Sequence, residues 1–186
     1  MNHSSLHKRV LWITQTAVML ALLIAVQAAT SGLGNQFVTG SCVNLILAVT
    51  ALTVGLWGGV AVAVISPFGA FLFGIGPKFI QLIPAIALGN LVYVVLLALM
   101  VGKTVRPMWR QGIGLVTAAV SKFLTLYFVI TRLLVPALVS AGVIPAKASA
   151  VLAANFSWPQ LVTATIGGIL ALVVTPALKK VLDKTK

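Results

Sequence analysis

Lys122 stands in the apolar run AAVSKFLTLYF, residues 118–128, of a chain whose one acidic residue is Asp183. Such a lysine could act as a base beside Ser121 or as the electrostatic partner of an anion. The first role fails on geometry, because neighbours on a helix point about 100° apart and cannot hold a nucleophile against its base. Metal and acid–base chemistry need grouped acids, histidines or cysteines. Here His3 and His7 lie in the polar N-terminal tail and Cys42 is alone, which leaves no disulfide and no ligand cluster. No G-x-x-x-x-G-K-[ST] stretch occurs, so this chain has no phosphate-cradling loop of the usual kind for ATP hydrolysis. Nor does any apolar segment carry the Asp or Glu that proton- and sodium-coupled carriers use. The residues argue against an enzyme. Uphill movement of a solute would have to draw its energy from another chain.

The elements that must position Lys122 are membrane helices. Hydrophobic residues make up 60% of the 186, charged ones 8%, and mean hydropathy is +1.14, a composition that a water-soluble surface does not tolerate. The net charge of +12 is not a nucleic-acid signature, since the basic residues gather at chain ends and in short gaps between apolar runs. Six runs approach the roughly 20 residues that span a bilayer: 11–31, 41–57, 58–76, 79–102, 112–136 and 159–178. These define an all-α integral membrane protein, a compact bundle of six transmembrane helices in one membrane domain, 1–186. The second and third are divided only by GLWGG, residues 55–59, as a tight turn. The run from Leu11 to Ala29 is longer than the about 7–15 residues of a signal-peptide core and is read as a helix of the mature bundle.

Lysine and arginine in the gaps set the orientation. Lys8, Arg9, Lys103, Arg106, Arg110, Lys179, Lys180, Lys184 and Lys186 fall on one side against Lys78, Lys122, Arg132 and Lys147 on the other, nine to four. Both termini are therefore expected in the cytoplasm, with Trp12, Trp57 and Trp109 at inner ends and Trp158 at an outer one. A five-span arrangement would carry one terminus and its cations outside. On the outer side lie SGLGNQFVTGS, residues 31–41, and the longer stretch 140–160, with room for a short surface helix; loops of this kind over a bundle read as a lid.

Two constellations remain. Ala17, Ala21, Ala25 and Ala29 recur every fourth residue and form a shallow groove on one helix face, suited either to a partner helix or to the chain's own helices. Polar residues gather toward the outer side: Asn35, Gln36 and Thr39; Lys78 and Gln81; Asn90 and Tyr93; Lys122 and Arg132; Asn155, Trp158 and Gln160. Lys78 and Arg132 lie close enough to the interface to snorkel, Asn90 can bond a neighbouring backbone, and Tyr93 and Trp158 suit packing and the aromatic belt. Lys122 differs, because it sits near the middle of its segment, where snorkelling is hardest.

With its NQFVTGSCVNLIL passage, the SPFGAFLFGIGP segment, the terminal SWPQLVTATIGGILALVVTPALKK and the alanine helix, the chain resembles the substrate-binding S-components of energy-coupling factor (ECF) transporters. The resemblance covers most of the chain. It implies a multi-pass protein of a prokaryotic plasma membrane that binds a vitamin-like micronutrient from outside. Its partners would be a transmembrane coupling subunit and two cytoplasmic ATPases, which alone use ATP; this chain would need no cofactor. By position, Ala17, Ala21 and Ala25 would meet the coupling subunit and Asn35, Gln36 and Thr39 would gate the pocket. Asn90, Tyr93, Lys122, Trp158 and Gln160 would contribute to it. A buried ammonium with no protein anion must lose its proton, be hydrated or meet an anionic ligand, so an anionic or acceptor-rich substrate fits Lys122 best. A standalone oligomeric facilitator or channel, and a structural membrane protein, are the competing classes.

Overall fold

A computed structural model of the chain describes residues 3–102 and 107–183, all-helical apart from short connections. Lys103, Arg106, Lys184 and Lys186, counted above for orientation, lie outside the described residues, as does the side chain of Asp183. The elements are α1 (His3–Ser31), α2 (Gln36–Thr53), α3 (Leu56–Leu72), a 3-10 turn (Ile80–Leu82) leading into α4 (Ile83–Met100), α5 (Met108–Leu126), a π-helical stretch (Tyr127–Leu134), α6 (Val135–Ser140), α7 (Ala146–Asn155) and α8 (Trp158–Asp183). Five helical stretches, Ser5–Ser31, Gln36–Thr53, Ile80–Met100, Met108–Ser140 and Ala146–Val181, are long and apolar enough to cross a membrane. The sixth, Leu56–Leu72, has 17 residues, the lower end of what spans a bilayer.

Where the helices depart from the apolar runs, local chemistry accounts for it. The first connection is short, because the Asn35 side chain accepts from the backbone N–H of Phe37 at 2.9 Å and of Val38 at 3.4 Å and so caps α2 there. The residues QFVTG become its first turns. Thr39 Oγ1 then donates to the Thr30 carbonyl at 3.1 Å and ties α2 back to the end of α1. The second and third helices part at Gly55, whose φ of 103° only glycine adopts without strain. After Leu72 the chain leaves the helix through Gly74 and Gly76, both at positive φ. Pro136, with no N–H to donate, stands two residues past the end of the widened π-helical stretch, and the 140–160 segment folds α7 across the end of the bundle.

The main core joins Leu23 of α1, Leu47 and Leu52 of α2, Val62 of α3, Tyr93 and Leu97 of α4, Ala118 of α5 and Ala164 of α8. A separate apolar cluster, built on Leu82, Leu126, Ile130, Ile144, Leu152 and Phe156, seats α7. The most extensive helix–helix contact is between α2 and α8. A Cβ at Gly167 would lie 2.6 Å from both the Leu45 nitrogen and the Ser41 oxygen, and one at Gly168 would lie 2.8 Å from the Tyr93 hydroxyl. In lipid, where no hydrophobic force drives helices together, small residues permit this backbone proximity and the dispersion it gives.

Candidate functional site

The last turns of α1, the first turns of α2 and α8, the connection from α3 to α4, and α7 meet around a cavity of about 430 Å³. A smaller one of about 70 Å³ lies at the opposite end, between Leu52, Gly102 and Thr175. Asn35, Gln36, Thr39, Asn90, Lys122 and Gln160 all line the large cavity, together with Asn155. Asn44 lies eight residues into α2, counting from Gln36, which places it about 12 Å below the rim.

At that depth Lys122, 3% exposed, donates to Asn44 Oδ1 at 2.6 Å and to Asn90 Oδ1 at 2.7 Å. Its Nζ also lies 5.4 Å from the centroid of the Tyr93 ring, within cation–π range. One side chain of α5 thus bridges α2 and α4. No carboxylate is present among the described side chains, so carboxamide oxygens and a ring face replace the water and the counter-charge that an ammonium ordinarily requires. The arrangement continues upward: Asn44 Nδ2 donates to the Gly40 carbonyl at 2.9 Å and to Thr163 Oγ1 at 3.3 Å, Thr163 donates to the Gln160 carbonyl at 3.3 Å, and Gln160 Nε2 donates to the Asn155 carbonyl at 3.0 Å. Hydrogen bonds therefore run from the cavity floor to α7 at its rim.

Two residues read as pocket candidates are placed elsewhere. Tyr93 lies beneath the floor, fully buried, with its hydroxyl donating to the Ala164 carbonyl at 2.8 Å; it supports the ammonium without lining the cavity. Trp158, the first residue of α8, is 60% exposed and sits outside, its ring centroid 5.4 Å from that of Phe37. That pair joins the first turns of α8 and α2 at the outer surface. Lys78 and Gln81 are exposed and line neither of these cavities, and Arg132 is exposed, its Nε donating to the Tyr127 hydroxyl at 2.9 Å. Among the described residues, Asn90 bonds the Lys122 side chain and no neighbouring backbone.

Among the lining residues that a reading of the sequence does not single out are the polar Asn44, Ser66 and Gln27, the last with its Oε1 shielded and without a partner. Asn44 carried a usable signal, since it is the one carboxamide in the apolar run 41–57. On α1, Ala17, Ala21, Ala25 and Ala29 are all exposed, while Leu23 on another face is fully buried in the main core. The helix packs on α2 and α3 and leaves its alanine groove uncovered. Comparison with protein-family models, with curated proteins and with solved structures finds no match to this chain.

Proposed function

We propose that this chain is the substrate-binding subunit of an ECF-type importer of a small anionic or acceptor-rich micronutrient, driven by ATPase subunits on other chains. The observation that carries the reading is the Lys122 ammonium, held by two carboxamides on the floor of a polar cavity that holds no carboxylate. A charge kept at that cost in an apolar bundle is a feature of binding sites more than of packing. The uncovered alanine groove on α1 supplies a face for a coupling subunit. The cations give a direction: Lys8, Arg9, Arg110, Lys179 and Lys180 are placed toward the end of the bundle opposite the cavity, and Lys78, Arg132 and Lys147 toward the cavity end. By the excess of cations on cytoplasmic sides, the cavity faces outward and both termini lie in the cytoplasm of a prokaryotic cell.

The test has two parts. Purified chain should bind a water-soluble micronutrient saturably, and in cells it should co-purify with a membrane coupling subunit and a pair of ATPases. Solute flux through liposomes holding this chain alone would instead establish a standalone facilitator.

A further inference from the structure

Resting on that reading, we infer that the cavity takes a monoanion with a saturated, amide- or hydroxyl-bearing body, its anionic head seated on Lys122 and Asn90 at the floor. The charge follows from the lining, whose one ionisable side chain is the basic Lys122 and which holds no acid, so that an anionic ligand would favour the ammonium form. One negative charge neutralises it, a dianion leaves an uncompensated charge in a low-dielectric site, and a cation meets repulsion. The seat follows from the donors. An ammonium has three N–H groups and a carboxamide two. Lys122 spends two of its donors on Asn44 and Asn90, and the Asn90 Nδ2 makes no hydrogen bond among the described residues. What remains is a lysine N–H and an amide N–H, on two side chains joined by the 2.7 Å bond from Lys122 Nζ to Asn90 Oδ1, a pairing suited to the two oxygens of a carboxylate.

The body follows from the upper lining. Gln160 spends its amide nitrogen on Asn155, which leaves its oxygen without a donor among the described residues. Acceptors without donors call for hydroxyl or amide N–H groups on the ligand. The only aromatic ring in the lining is Phe156, so no two ring faces are set to hold a planar heterocycle between them. The volume of about 430 Å³ is that of a small-molecule site.

The full chain, purified and placed in nanodiscs, would be offered an equimolar mixture of pantothenate, biotin, nicotinate, riboflavin, thiamine and pyridoxine, and the retained compound identified by mass spectrometry. Retention of pantothenate or biotin, both monocarboxylates on saturated bodies that carry amide or ureido groups, is the expected result. The uncharged counterpart, panthenol or biotin amide, should then bind about 30-fold more weakly, the loss of one hydrogen bond between charged groups. Retention of thiamine, pyridoxine, riboflavin or nicotinate would overturn the inference and leave the chain a binding subunit. Equal affinity for the charged and uncharged forms would overturn the anionic seat. Retention of nothing would overturn both the inference and the function on which it rests.

Discussion

Lys122 Nζ lies 2.6 Å from Asn44 Oδ1, across 78 residues of chain, and this bond joins α5 to α2 at the base of the cavity. Asn44 is itself fixed by its other amide atom, which donates to Gly40 and Thr163, so the oxygen offered to the lysine is not free to turn away. Asn90 is held only through its oxygen. The two carboxamides are therefore unequal: one anchors the ammonium and the other can respond to a ligand.

That inequality gives the first prediction. Asn90→Asp places a carboxylate against Lys122 while sacrificing no other hydrogen bond among the described residues. The chain should remain at least as stable to thermal unfolding, because a buried ammonium gains a counter-charge. Affinity for an anionic ligand should fall by about tenfold or more, since the site's net charge becomes zero. Titration calorimetry alongside thermal unfolding reads both; unchanged anion affinity would remove charge from the account of binding.

Lys122→Ala should behave differently. It strands the oxygens of Asn44 and Asn90, both buried, with no donor. Each stranded acceptor costs about 1–3 kcal/mol, so a total of about 2–6 kcal/mol is expected, seen as a lower midpoint of unfolding in detergent. The double variant Lys122→Leu with Asn90→Leu should recover part of this, as an apolar pair leaves fewer groups unsatisfied.

These contrasts also show what the sequence could carry. The membrane class, the helical content and the polar cluster on one side are written in composition and in the positions of charged and amide residues. Lys122 stands out because a charge in an apolar run is rare. Its pairing does not stand out: Asn44, marked only as the lone carboxamide of its apolar run, is 78 residues away, and only folding brings the two together. Tyr93 and Trp158 illustrate the reverse. Each has a chemistry suited to a pocket, but which side of a helix faces the cavity is decided by packing, here by Gly168 making room for the Tyr93 hydroxyl and by Phe37 pairing with Trp158 outside. Helix ends were obscured for a local reason, since the Asn35 cap converts apparent loop into helix.

Gly167 predicts a steric effect. A methyl group there would lie 2.6 Å from backbone atoms of α2, which cannot yield as a flexible side chain would. Gly167→Ala should cost about 1–3 kcal/mol by forcing α2 and α8 apart, and anion binding should weaken with it because Asn44 shifts. Gly112→Ala serves as the comparison, because a Cβ there meets nothing within 4 Å. It should stabilise α5 by about 0.5–1 kcal/mol through helix propensity alone. Thermal unfolding of the two variants side by side checks the pair.

Tyr93→Phe isolates the support beneath the floor. The variant keeps the ring whose face lies toward the ammonium and loses the hydroxyl bonded to the Ala164 carbonyl at 2.8 Å. Stability should drop by about 1 kcal/mol, the net worth of one buried hydrogen bond. Ligand affinity should change less than twofold, because no cavity atom is removed. A loss of tenfold or more in affinity would mean that the hydroxyl reaches the ligand after a rearrangement.

On the proposed function, substitution in the alanine groove should separate binding from transport. Ala17, Ala21 and Ala25 are exposed on α1, and the residue that anchors this helix to the main core, Leu23, lies on another face. Ala21→Trp therefore enlarges a surface that touches none of the chain's own core, and the folded chain should accept it with a stability change within about 0.5 kcal/mol. A close-packed helix–helix contact has no such tolerance, because an indole in place of a methyl holds the backbones apart. Uptake in cells that supply the other subunits should fall at least tenfold, while ligand affinity of the purified variant stays within twofold of the parent. Joint loss of uptake, affinity and thermal stability would place the alanines in internal packing, whereas full uptake with the tryptophan in place would mean that the energy-supplying partner docks elsewhere on the chain.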